Sequence, residues 1–169
     1  MFSIMKKKHQ QIQQITGLDL AENMMAIGKE KQKSLTYNQK IKFITASATE
    51  IPYDDETFDC VSMAFGIRNV DDVEKCLAEI YRALKKGGIA LIMEFSLPSN
   101  WILRKLYLFY FRHILPVIAG VISGNIKAYK YLNQTVEDFP YGQAFATLLE
   151  KKGLKTTFKP LTFGIATLY

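Results

Sequence analysis

Asp19 closes a short apolar run, Ile15-Thr-Gly-Leu-Asp19-Leu, and opens a helical one. Open α/β sheets bind ligands beyond the carboxyl ends of their strands, and an acid placed there can accept both hydroxyls of a ribose. The same position suits a solvated helix cap, since Asp is a good N-cap. Ser47-Ala48, just past the next apolar run, offers a hydroxyl and backbone groups to the edge of an adenine. Gly66-Ile67-Arg68-Asn69 follows a third run. Its glycine permits close backbone approach to a ligand, and Arg68 brings five fixed donors. Arg68 has an alternative use, pairing with Asp71 or Asp72. Gly87-Gly88 follows a helical stretch and precedes an apolar one, the reverse of the polarity a dinucleotide loop needs, and none of the ten glycines forms a Gly-x-Gly. Cys60 and Cys76 show no metal or disulfide spacing, and His9 and His113 are the only histidines, so a zinc site is not expected. The cysteines read as buried thiols of a reducing compartment.

The elements that would hold these residues alternate. Residues 15–20 read as a strand, Glu22–Lys33 as a helix through Met24, Met25 and Ile27, and Ile41–Thr45 as a strand. Pro52 and the Asp54-Asp55-Glu56 run make a turn. Phe58–Phe65 is nearly all apolar, the pattern of a strand buried on both faces. Val73, Cys76, Leu77, Ile80, Tyr81 and Leu84 then form one helical stripe, with Asp71 or Asp72 as cap and Gly87 as the stop. A strand through Ile89–Phe95 follows. Strands alternating with helices predict an α/β fold with a mainly parallel sheet. Helix Tyr141–Lys152, stopped by Gly153, leads to Lys155–Leu161 and Phe163–Tyr169, a closing antiparallel pair. Residues Met5–Gln14 are polar, a helix remnant or loose arm.

Between Trp101 and Ile122 the chain is apolar, but Arg104, Lys105, Arg112, His113 and Pro116 interrupt it. That argues against a membrane span and for a lid on the core or a helix at a membrane interface. Arg104, Lys105 and Arg112 share one helical arc with Trp101, while Leu103, Leu106, Tyr107, Tyr110 and Ile114 occupy the rest. Thirteen of the 21 aromatic residues lie after residue 100, so the last third should be aromatic-lined. The net charge of +6 is unevenly spread: residues 1–46 carry eight Lys/Arg against three acids, 47–99 five against ten, and 100–169 nine against three. Basic ends around an acidic middle fit an anionic lipid surface better than a nucleic acid. Met1-Phe-Ser-Ile-Met5 is too short for the apolar core of a signal peptide.

Several strings carry a resemblance. Gly17-Leu-Asp-Leu-Ala-Glu-Asn-Met, Ala48-Thr-Glu-Ile-Pro-Tyr, Thr57-Phe-Asp-Cys-Val, Phe65-Gly-Ile-Arg-Asn-Val and Tyr81-Arg-Ala-Leu-Lys-Lys-Gly-Gly look like class I S-adenosylmethionine methyltransferases. Phe65-Gly-Ile-Arg-Asn-Val, Met93-Glu-Phe-Ser and Ala128-Tyr-Lys-Tyr-Leu narrow this to a resemblance to the ubiquinone/menaquinone biosynthesis C-methyltransferase family, from about Gly17 onward. The resemblance implies a single Rossmann-like domain over residues 1–169, with a helical lid over 101–135, a mostly parallel sheet and a carboxyl-terminal antiparallel pair. It implies methyl transfer from S-adenosylmethionine, without a metal, to a ring carbon of a polyprenylated hydroquinone. Asp19 would hold the ribose, Ser47 and Ala48 the adenine side, and Ala64 and Phe65 the methionine side. Arg68 would stabilise a developing phenolate or orient a basic water, with Asn69 fixing that geometry. Tyr129, Tyr131 and the Trp101–Ile122 segment, including Tyr107 and Tyr110, would line the quinone and prenyl channel, with His113 an outside candidate for the base.

The chain also departs from the family pattern. Ser47 stands where Asp or Asn is usual and Ala64 where Ser is common, which should weaken cofactor hydrogen bonding modestly. The strand and glycine loop that the family places between the strands matching Ile15–Leu20 and Phe58–Phe65 have no counterpart. Two open strand edges are then expected: they pair directly, residues 1–14 patch the gap, or the chain belongs to a longer product. The other class of function is a catalytically silent relative that binds lipid or a biosynthetic assembly. A cytoplasmic site at the membrane surface is expected, the matrix side of the inner mitochondrial membrane in a eukaryote, with a homodimer or biosynthetic complex as further partners.

Overall fold

The computed structural model describes residues 11–123 and 126–169. The chain divides into two compact units, one ending at Tyr53 and one spanning Asp54–Tyr169.

In the first unit, strands β1 (Ile15–Asp19) and β2 (Ile41–Thr45) pair in parallel, from Ile15 against Ile41 to Asp19 against Thr45. A parallel pair needs a crossover, which helix α1 (Glu22–Lys33) provides. The helix rests on the strands through Met25, while Ile41 is the buried residue of β2. Gly28 allows the close approach: a methyl group there would come within 2.8 Å of the Phe43 ring. Gln32 Nε2 donates to the carbonyls of Asn38 and Ile41, at 2.6 and 2.7 Å, and so ties the return turn to β2. The helix and the second strand have the bounds expected, and β1 ends at Asp19, one residue before the expected end. Met5–Gln10, the first part of the polar arm, lies outside the described residues, and Gln11–Gln14 is not helical.

The second unit is a four-stranded sheet in the order β3-β4-β6-β5, formed by Phe58–Ala64 (β3), Leu84–Phe95 (β4), Lys159–Leu161 (β5) and Ala166–Leu168 (β6). Strands β3 and β4 are parallel, joined by helix α2 (Val73–Ala83), and β6 runs antiparallel to both β4 and β5. Helix α2 buries Cys76, Leu77 and Ile80 of the stripe its spacing predicts, and Ala83 besides, while Tyr81 at its margin is half exposed. Asp72 caps it, its Oδ1 accepting from the Lys75 amide at 2.8 Å. Helices α3 (Trp101–Phe109), α4 (Leu115–Ser123), α5 (Ile126–Asp138) and α6 (Gln143–Lys151) complete the unit. Phe145 is fully buried, with the rings of Phe139 and Tyr169 at 5.3 and 4.8 Å. Gly153, at φ 91°, ends the last helix as expected.

Three expectations need correction. Strand β3 is not buried on both faces: Asp59, Cys60, Ser62 and Ala64 are exposed. Strands β1 and β3 each have one ladder partner among the described residues. An apolar run reports the capacity to be covered, whereas neighbours decide the covering. Second, the α2 helix stops at Ala83, because Leu84 already takes extended backbone angles and opens β4. Gly87 is left-handed at φ 80°, but it serves a bulge inside the strand, where the register jumps from Leu84 to Ile89. Gly88 has no room for a side chain, since a methyl group would lie 2.9 Å from the Lys85 carbonyl. Third, the closing strands are shorter than expected, because Thr162 and Phe163 adopt positive φ and Thr162–Gly164 forms a tight turn between them.

The Trp101–Ser123 stretch is helical throughout, with one π turn at Tyr110–Ile114. Pro116 explains it. The Leu115 amide donates to the Tyr110 carbonyl, one residue further back than in an α-helix. Proline has no N–H for the next link, which leaves the Phe111 carbonyl without a partner in its own helix. The buried Asn133 amide on α5 donates to that carbonyl instead. No helix among the described residues is long and apolar enough to cross a membrane.

Candidate functional site

In the first unit, Asp19, Ser47 and Ala48 meet at the carboxyl ends of the two parallel strands. The Ala46 amide donates to the Asp19 carbonyl at 3.3 Å, which sets the Ser47-Ala48 turn beside the end of β1. Asp19 Oδ1 accepts from the Ala21 amide at 2.9 Å, and its second carboxylate oxygen has no partner among the described residues. Asp19 is not the N-cap of α1, which is Ala21: one of its oxygens is tied to the Ala21 amide and the other is open to a further donor. The Ser47 hydroxyl lies 2.8 Å from Thr49 Oγ1 and also accepts from the Thr49 amide at 3.2 Å, so it shapes its own turn. A ribose diol needs an acceptor at the strand end and an adenine edge needs backbone groups beside it. These residues fit both.

In the second unit, the Phe65-Gly66 step leaves β3 sharply. The strained residue is Phe65, at φ 55°, rather than the glycine, whose φ of −114° any residue can adopt. The Phe65 amide donates to the Met93 carbonyl at 2.8 Å, so the turn stays pinned to the neighbouring strand. A short 3-10 turn at Ile67–Asn69 then directs Arg68 back over the sheet.

Arg68 does not pair with Asp71 or Asp72. Its Nη1 donates to Glu94 Oε1 at 2.6 Å and to the Phe65 carbonyl at 2.9 Å, and its guanidinium carbon stands 5.1 Å from the centre of the Phe95 ring. The Phe65 and Phe95 rings are themselves 4.6 Å apart. Side-chain exposure is 8% for Arg68 and 1% for Glu94, so the ion pair sits inside the protein. Glu94 Oε1 also accepts from the Phe95 amide at 2.8 Å. Two polar atoms of this pair, Arg68 Nε and Glu94 Oε2, are buried without a hydrogen-bond partner. Glu94 is the residue that sequence reasoning missed. Its signal was present: a lone acid in the apolar strand Ile89-Ala-Leu-Ile-Met-Glu-Phe, where a charge must find a partner.

The other expected site residues are spread more widely. Ala64 lies exposed at the end of β3, and Asn69 is exposed, its amide donating to the Gly66 carbonyl at 3.0 Å. Helix α5 packs against the Ile67–Asn69 turn. Of its tyrosines, Tyr129 is partly buried and Tyr131 is exposed. Tyr107 stacks on Phe111 at 5.0 Å, and its phenol is pushed up to about 12 by burial and then by the nearby Tyr110 and Glu137. Tyr110 is half exposed, and His113 is exposed with its ring 5.3 Å from Phe109. No hydrogen bond or ring contact among the described residues joins these five to Arg68.

The profile of the ubiE/COQ5 methyltransferase family matches residues 1–169. The chain is 36% identical over 169 residues to the demethylmenaquinone methyltransferase of Bacteroides fragilis, covering 99% of this chain and 69% of that protein. It is 44% identical over 156 residues to the ubiquinone/menaquinone biosynthesis C-methyltransferase UbiE of Geobacter sulfurreducens, covering 92% of this chain and 60% of that protein. Among solved structures, a SAM-dependent methyltransferase of Thermotoga maritima superposes with a TM-score of 0.57 at 21% identity, over 90% of this chain and 70% of that one. The fold is that of the S-adenosylmethionine-dependent methyltransferases, and the methyl donor of this group is S-adenosylmethionine. The chain belongs to the ubiE/COQ5 methyltransferase family.

Proposed function

We propose that the chain carries the C-methylation of a prenylated hydroquinone at the expense of S-adenosylmethionine. Demethylmenaquinol is the acceptor that the Bacteroides fragilis relative's name favours, and a polyprenyl-methoxy-benzoquinol is the second. The observation that carries this reading is the Arg68–Glu94 pair, held at the carboxyl end of β3 and β4, where parallel sheets bind ligands. S-adenosylmethionine supplies an electrophilic methyl group on a sulfonium. In the first unit, Asp19 would hold its ribose, and Ser47 and Ala48 its adenine side. The second unit's own task at the ring is electrostatic. A ring carbon becomes a better nucleophile as its phenol gives up a proton, and a fixed cation lowers the energy of the resulting oxyanion. The Arg68 guanidinium is locked on three sides, so it meets that charge without reorganising.

A second observation bears on how the prenyl tail arrives. Trp101, Ile102, Leu106, Phe109, Val117 and Val121 are each more than half exposed along one helix. The sequence has no acid between residues 101 and 123, and Lys105 Nζ stands 5.1 Å from the centre of the Trp101 ring. Arg112 pairs with Glu137 of α5, so Arg104 and Lys105 are the cations this edge offers, and an apolar face beside them suits an anionic bilayer, the place where a polyprenyl chain resides. In this reading the helix lies on the membrane surface and the protein is peripheral to it.

Incubation of the full chain with S-adenosylmethionine and either demethylmenaquinol or the benzoquinol, both short-tailed, tests the reading. The expected product is one methyl group heavier, formed with the naphthoquinol in preference. Absence of cofactor binding and of product with both acceptors would overturn it in favour of a silent relative. Co-sedimentation with vesicles containing phosphatidylglycerol tests the docking face. Leu106→Glu with Val117→Glu should abolish binding, and equal binding to neutral phosphatidylcholine vesicles would refute the electrostatic part.

A further inference from the structure

Arg68 Nε is a donor with no acceptor, and Glu94 Oε2 is an acceptor with no donor. They stand on the two partners of one 2.6 Å ion pair, and both are shut off from solvent. Buried polar groups are nearly always satisfied, so two orphans of opposite kind on one ion pair restrict the missing group, water or ligand, by its hydrogen-bonding capacity. It must accept one hydrogen bond and donate another. A hydroxyl does both, whereas a carbonyl or an ether oxygen only accepts.

We infer that Glu94 sets the redox state of the ring this site takes: a hydroquinone hydroxyl donates to Glu94 Oε2 and accepts from Arg68 Nε. This rests on the reading of Arg68 as the residue at the quinol ring. An oxidised quinone would place a carbonyl oxygen against the carboxylate, leaving Oε2 unpaired and facing a second acceptor. A methylated hydroxyl would lose the same bond. The other carboxylate oxygen is already committed to Arg68 Nη1 and the Phe95 amide, so the carboxylate has no freedom to turn away. The hydrogen-bond inventory of one buried acid thus discriminates two forms of the same molecule that differ by two hydrogens.

The Glu94→Gln variant inverts the inventory. Its amide oxygen keeps the bonds to Arg68 and Phe95, which turns an NH2 donor toward the ligand in place of Oε2. Anaerobic isothermal titration of the full chain with a short-tailed 1,4-naphthohydroquinone, its quinone and its dimethyl ether reads the result. The unaltered chain should bind the hydroquinone about ten-fold or more tighter than either other form, the scale of one hydrogen bond to a charged group. Glu94→Gln, with its fold checked by circular dichroism, should bind the quinone at least as well as the hydroquinone. Equal binding of all three forms to the unaltered chain overturns the inference while leaving a quinone site in place, and it does so even if the variant fails to fold. An unchanged preference in a folded Glu94→Gln overturns it equally. Binding of none of the three sinks the function proposed above, and the inference with it.

Discussion

Breaking the Arg68–Glu94 pair one side at a time should cost far more than removing both sides. With side-chain exposures of 8% and 1%, neither charge can turn to water when its partner is lost. Removing one member of a buried pair typically costs about 3–5 kcal/mol, because the other charge stays buried and uncompensated. Arg68→Met should fall at the upper end, since Glu94 then keeps only the Phe95 amide. Glu94→Leu should fall near about 3 kcal/mol, because Arg68 retains the Phe65 carbonyl and the face of Phe95. Replacing a buried pair by apolar residues of similar volume is often nearly neutral, so the double variant should lose under about 2 kcal/mol. The two single losses together, about 8 kcal/mol, then exceed the double by more than about 6 kcal/mol. Urea unfolding followed by circular dichroism measures this. With a urea dependence of about 2 kcal/mol per molar, the single variants should lose roughly 1.5–2.5 M in midpoint and the double under about 1 M. Single losses that simply add, leaving a coupling below about 0.5 kcal/mol, would refute the buried-pair reasoning.

Two further predictions concern sites where local chemistry separates neighbours of one kind. Gly153→Ala should destabilise by about 1–3 kcal/mol, since it combines a left-handed backbone with a methyl group 3.0 Å from the Tyr81 ring, whereas Gly66→Ala, with normal φ and 3.5 Å of room, should stay within about 1 kcal/mol. Urea midpoints of the two variants decide it, and equal losses would contradict it. Burial, then Asp72 and Glu79, push the Cys76 thiol up to about 11, so iodoacetamide at pH 8 should label the exposed Cys60 first, and Cys76 only after unfolding. A folded pKa above the unfolded value gives stability that is present below the unfolded pKa of about 8.5–9 and is lost as pH rises toward 11. Unfolding curves of Cys76→Ala that show the same alkaline loss as the unaltered chain would exclude that thiol as its source.

Elements defined by short-range pattern were legible in the chain. Strands β1 and β2, helix α1, the Asp72 cap and the Gly153 stop each depend on side-chain period or on one residue's backbone freedom. Features that depend on register were not. Arg68 and Glu94 are 26 residues apart, and their meeting follows from which residues of β3 and β4 lie side by side. Asp71 and Asp72 were nearer along the chain but belong to the start of the next helix, with Asp72 occupied by its cap. The glycines at 87 and 88 were legible as a backbone need, yet their place within a bulge required knowing that Leu84 had already joined the sheet. The partner of the Phe111 carbonyl was likewise hidden, because Pro116 announces a lost link but not which side chain replaces it.

That π turn has a consequence for the outline of the long helix. One extra residue wound into a turn sets everything beyond it back by about 100° around the axis, relative to a regular helix of the same sequence. The exposed apolar residues of α3 and α4 face their surroundings in the phase that the turn at Tyr110–Ile114 sets. Relaxation of this turn to a regular α-helix, with no residue removed, would preserve composition and hydrophobicity, yet rotate Trp101, Ile102 and Leu106 out of line with Val117 and Val121. Pro116 and Asn133 therefore act together as a phase lock: the proline prevents relaxation to a regular helix, and the amide accommodates the carbonyl that the lock leaves behind.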